Sequence, residues 1–164
     1  MNIEITMEDG RWQGLEPLAS RAAAEVLKHC GVEPEICEIS VLGCDDVRIA
    51  ELNAEFREKP MPTNVLSWPA EDLASGVAGG NPSKPQADFT GEIALGDIAI
   101  SYDTCVREAN KAGKSVDDHV SHLIVHAVLH LLGYDHIRDP DATLMEAVEV
   151  EILGKMGIND PYNV

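Results

Sequence analysis

Apolar positions change their period several times along the chain, and each change marks an element. From Asn2 to Met7, Ile3 and Ile5 alternate with polar residues, the two-residue period of a short strand. Gly14 to Cys30 switches to helical spacing: Leu15, Leu18, Ala22, Val26 and Cys30 fall on one side, and Gly31 supplies the stop. Alternation returns from Ile36 to Leu42, where Ile36, Glu38, Ser40 and Leu42 oppose Cys37, Ile39 and Val41. Strand, helix and strand in that order predict a right-handed parallel crossover. Asp45 to Phe56 is a second helix, with Val47, Ile49, Ala50, Leu52 and Phe56 on its apolar side.

Pro60 and Pro62 then fix a loop, and Val65 to Trp68 is a short strand ended by Pro69. Glu71 to Asp88 holds glycines and prolines and reads as a flexible surface loop. Gly91 to Ser101 is a strand with Gly96 as a bend or bulge. Ser101 can cap a helix from Tyr102 to Ala112, stopped by Gly113. Ser115 and Asp118 have capping-box spacing and open the next helix, Val116 to Leu132. That helix is apolar nearly all round, which predicts a central, buried position. Asp139-Pro140 signals the start of a last helix, with Met145, Val148, Ile152 and Met156 inward and Gly157 at its end. Glu146, Glu149 and Glu151 read as its solvated face. The expected architecture is one α+β domain, residues 1–164, with a small mixed sheet of about four strands, about five helices and a central buried histidine-bearing helix.

Composition adds limits. No apolar run approaches the roughly twenty residues needed to cross a bilayer, and Met1 to Glu4 lacks the basic and apolar regions of a secretory signal. A cytoplasmic protein is expected. The four cysteines make no close pair and read as free, mostly buried thiols. A net charge of −17 argues against a broad basic footprint for nucleic acid. Any contact with RNA must be confined to a local basic strip.

The candidate chemistry sits at the end of the apolar helix. His126, His130 and His136 have the spacing H-x3-H-x5-H. Residues four apart share one helix face. Gly133 can take the left-handed conformation that ends the helix and turns the chain, which lets His136 return as a third ligand. Three imidazoles suit zinc, one ion per chain, with a fourth tetrahedral position left open as in catalytic sites; copper, nickel, cobalt or iron would also fit such a donor set. His122 is too far from His130 along the helix, about 12 Å, to share the ion and reads as a cleft or supporting residue, while His119 reads as partly exposed. Metallopeptidases of this spacing place a general-base Glu directly after the first histidine. Here that residue is Ala127, which takes no proton. Asp135 is the nearest carboxylate, with a supporting or turn role equally open. On physical grounds Arg57 is either a phosphate-binding guanidinium at the head of a rigid loop or a surface salt bridge.

Three blocks of the chain resemble the YbeY family of bacterial endoribonucleases. The first is Leu52, Asn53, Phe56, Arg57 and Lys59, followed by Pro62, Thr63, Asn64, Val65, Leu66, Ser67, Trp68 and Pro69, similar to the family's L-N-x-x-(aromatic)-R-x-K and P-T-D-V-L-S-F-P. The second is Gly96-Asp97-Ile98 with Ile100-Ser101, and the third is His130 to His136. The departures are Asn64 for Asp, Trp68 for Phe and Ala127 for Gly. The resemblance implies a zinc-dependent endoribonuclease that acts on single-stranded RNA in 16S rRNA 3′-end maturation and ribosome quality control. It implies Arg57 as catalytic and substrate-binding residue, Lys59 as a second substrate-binding residue, and ribosomal proteins as contacts. The competing expectations are a metallopeptidase and a non-catalytic ribosome assembly factor with structural zinc.

Overall fold

The structure is a computed structural model and describes residues 1–162. Four strands form one sheet: β1 (Asn2–Met7), β2 (Cys37–Cys44), β3 (Val65–Pro69) and β4 (Ile93–Ser101). Their order is β1-β2-β4-β3. β1 pairs with β2 and β2 with β4 in parallel, while β3 runs antiparallel to β4. The five helices are α1 (Leu15–His29), α2 (Asp46–Arg57), α3 (Tyr102–Ala112), α4 (Val116–Leu131) and α5 (Asp139–Lys155). The expected α+β class with a mixed sheet is therefore found, and β1-α1-β2 makes the expected parallel connection. No described helix is long and apolar enough to cross a membrane.

The sheet separates two apolar layers. Cys37, Ile39 and Val41 of β2 point into the main core with Leu15, Ala22 and Val26 of α1 and Ile124, Val128 and Leu129 of α4. On the opposite face α2 covers a smaller cluster of Cys44, Ile49, Leu52, Leu66 and Ala99. The alternation of β2 thus serves two cores. The bulge expected in β4 lies at Leu95–Gly96, where the pairing steps from Glu38↔Ala94 to Ile39↔Gly96. Gly96 has φ +138°, and a Cβ there would lie 2.1 Å from the Trp68 carbonyl oxygen, so no larger residue fits this crossing of strands.

Boundaries differ from the sequence reading by a residue or two. The α5 N-cap is Arg138, which moves Asp139 into the first turn. The long loop before β4 carries no helix or strand, yet it is tied down. Leu73 is buried, Gly79 N–H donates to Asp141 (2.8 Å), and Arg138 donates to the Ser75 carbonyl (3.0 Å). All four cysteines are free, and Cys37, Cys44 and Cys105 are buried. His119, expected to be partly exposed, is buried: α3 packs on α4, and Glu108 of α3 meets its Nε2 at 2.9 Å.

Candidate metal centre and cleft

α4 is held at both ends. Ser115 accepts from the Asp118 N–H (3.1 Å) at its start. At its end Gly133 N–H donates to the His130 carbonyl (3.0 Å) and Tyr134 N–H to the Leu129 carbonyl (3.0 Å), the paired bonds of a glycine stop. Gly133 has φ +101°, and a Cβ there would lie 2.7 Å from the Leu73 backbone. The turn that follows is fixed by Asp135, whose carboxylate accepts from the His136 N–H at 2.7 Å. Asp135 thus acts on the backbone of the turn.

This geometry brings His126, His130 and His136 together, with one nitrogen from each lying within 4.8 Å of the others. The Nε2 atoms of His126 and His130 are 3.1 Å apart. Two nitrogens bonded to one tetrahedral zinc at about 2.0–2.1 Å lie about 3.3 Å apart, so the pair fits a shared ion. Burial, with His126 and His136 as neighbours, pushes the His130 imidazole down to about 4. At neutral pH it is uncharged and offers a lone pair.

Beneath the histidines lies a residue that the sequence reading assigned to solvent. Glu149 is completely buried. Its Oε1 accepts from His126 Nδ1, and its Oε2 accepts from His122 Nε2 (3.2 Å) and from the Tyr162 hydroxyl. Burial alone would raise this carboxyl, but the hydrogen bonds from His122, His126 and Tyr162 bring it down to about 2. A carboxylate that takes the Nδ1 proton of His126 leaves its Nε2 free to coordinate, the usual support of a metal-binding histidine. Glu146 and Glu151 are exposed as expected.

The cluster opens into a cleft of about 370 Å³. One wall is Thr63 to Ser67, at the edge of the sheet; α4 supplies the floor, including the buried Ala127. Arg57 enters from the end of α2. Glu58 takes a left-handed conformation (φ 57°) that ends α2, and buried Asn53 donates to the Met61 carbonyl (2.9 Å), pinning the proline loop. Arg57 then reaches over β3 and donates to the Ser67 carbonyl at 3.1 Å. The structure thus places Arg57 in the same cleft as the three histidines and leaves Lys59 exposed outside its lining. Asp97 lies on the opposite side of the sheet, in a groove beside Trp68. Among the described residues, the lining holds one guanidinium, four imidazoles and no carboxylate, although the chain carries 29 acidic residues. A second cleft shares Arg57, His130 and His136 but is flanked by Glu71, Asp72 and Asp135.

Residues 2–157 match the family model described as Endoribonuclease YbeY. The chain belongs to the YbeY family. A Ruegeria pomeroyi protein named Endoribonuclease YbeY is 65% identical over 164 residues, covering 100% of this chain and 99% of that protein. A protein of the same name from Paracoccus denitrificans is 54% identical over 162 residues, covering 98% and 89%. The fold is similar to the solution structure of TM1509 from Thermotoga maritima, with a TM-score of 0.54 and 22% identity over 99% of each chain. YbeY membership makes the chain an endoribonuclease, and hence an enzyme with an RNA substrate. Among the described residues, the histidine cluster is a group that could hold a metal ion.

Proposed function

We propose that the chain is a single-strand-specific, zinc-dependent endoribonuclease, one hydrolase domain over residues 1–164, acting in the cytoplasm on the 3′ end of 16S rRNA and in ribosome quality control. The observation that carries this reading is the cleft in which Arg57 faces three convergent imidazoles, with no carboxylate among the described lining residues. His126, His130 and His136 would hold the ion, which when bound supplies Lewis acidity at a phosphoryl oxygen. Arg57 binds the scissile phosphate and offsets the charge that builds on it. Its bond to Ser67 fixes the guanidinium before substrate arrives. Lys59, exposed on the same loop, adds attraction for the strand beyond the cleft.

Two features disfavour the competing readings. Ala127 stands at the position where the peptidase needs its Glu base, and His136 is exposed toward the cleft, unlike a ligand of a closed structural site. Contacts with ribosomal proteins fit the acidic surface outside the cleft. The test is Arg57→Ala. We expect cleavage of single-stranded RNA to fall about 10²–10³-fold in kcat, with zinc content and fold unchanged and with casein left intact by both proteins. Undiminished cleavage in a folded, zinc-loaded variant overturns the assignment.

A further inference from the structure

Tyr162 follows the last helix and belongs to no periodic element, yet it lines the cleft with Arg57 and the histidines. Two contacts hold its ring. The hydroxyl donates to Oε2 of buried Glu149, and the ring meets His122 edge-on, with centroids 5.8 Å apart and planes at 87°. Despite this double anchorage Tyr162 keeps 43% of its surface exposed. A fixed aromatic ring open to a cleft has little rotamer freedom to lose when a flat ligand stacks on it.

Resting on the ribonuclease reading, we propose that Tyr162 is a base-stacking platform of the cleft and that it selects single-stranded over duplex RNA. The chemistry follows from the partners. Arg57 takes the backbone phosphate and carries no information about base pairing. A base stacks on a side chain only when it is free of its neighbours in a helix, which is the state of bases in single strands and loops. His122 backs the ring on one side, and Glu149 fixes its tilt, so both act on the base through Tyr162.

The test compares wild type, Tyr162→Ala and Tyr162→Phe, each zinc-loaded and checked for fold by circular dichroism. The readouts are binding of a fluorescent single-stranded RNA and of its duplex by anisotropy, and cleavage of both. Tyr162→Ala should weaken single-strand binding about 10-fold, leave duplex binding unchanged and so narrow the preference for single strands. Tyr162→Phe keeps the ring and its contact with His122 but loses the bond to Glu149, and should weaken binding by about threefold, well short of Tyr162→Ala. Equal single-strand affinity in wild type and Tyr162→Ala overturns the stacking role alone, provided wild type cleaves. So does a Tyr162→Phe as impaired as Tyr162→Ala, which would assign the effect to the hydroxyl. Wild type that binds no RNA sinks the ribonuclease reading as well.

Discussion

Replacing Glu149 with Leu tests the support beneath the histidine cluster. The side chains are of similar size, so packing is largely kept while the acceptor is lost. In the native protein one buried carboxylate receives three hydrogens, from His126, His122 and Tyr162. Without it, nothing holds the His126 proton on Nδ1, and the ring is free to turn or to carry its proton on the coordinating nitrogen. Loss of such a support costs about 10- to 100-fold in metal affinity, or about 1.4–2.7 kcal/mol. The melting temperature of the metal-free variant should change less than three lost bonds imply, because a costly buried charge disappears with them. Glu149→Gln can still turn its carbonyl to His126 and should lose less than about 10-fold. The assay is competition for one equivalent of zinc against a chromophoric chelator. A folded Glu149→Leu that binds zinc as tightly as wild type refutes the reasoning.

Two further outcomes follow from features away from the ligands. Gly133→Ala forces a side chain against the Leu73 backbone at φ +101°; it should cost more than about 1 kcal/mol in thermal unfolding and weaken zinc binding by displacing His136, and an unchanged Tm would count against the glycine stop. Asp46 ties α2 to the β4–α3 junction, accepting from Ser101 (2.7 Å), Thr104 (2.6 Å) and Arg107 (2.9 Å). Burial would raise its carboxyl, but these bonds hold it below its ordinary 3.8. Its stabilisation is therefore present above that value and fades as pH falls through the lowered one. Asp46→Asn should cost about 1–2 kcal/mol in urea unfolding at pH 7, with the gap closing as the pH falls through the lowered carboxyl range; a gap that does not change with pH contradicts this account.

Local signals made much of this molecule legible. The capping serine, the apolar circumference and Gly133 located α4 and its stop, and the histidine spacing identified the cluster. Gly96 announced the bulge in β4. Arg57 was ambiguous on physical grounds, because what places it in the cleft is the reach of a side chain across β3 to Ser67, a tertiary fact that spacing does not encode. Glu149 was misread because a charged residue on a helix is usually solvated. The clue was its place between Met145 and Ile152, four and three residues away, on the apolar stripe of α5. His119 was misread in a similar way: its helix is apolar all round, and its partner Glu108 comes from α3. Tyr162 sent no signal, since a lone aromatic after a helix has no period to betray its contacts.

The order in which the parts leave the ribosome gives the position of Glu149 a further meaning. Arg57 is synthesised early and the histidines late, and the carboxylate that steadies them comes later still, on the final described helix. A chain grown only as far as His136 therefore has all three histidines but lacks the brace. His126 gains its fixed orientation only once α5 has folded against α4.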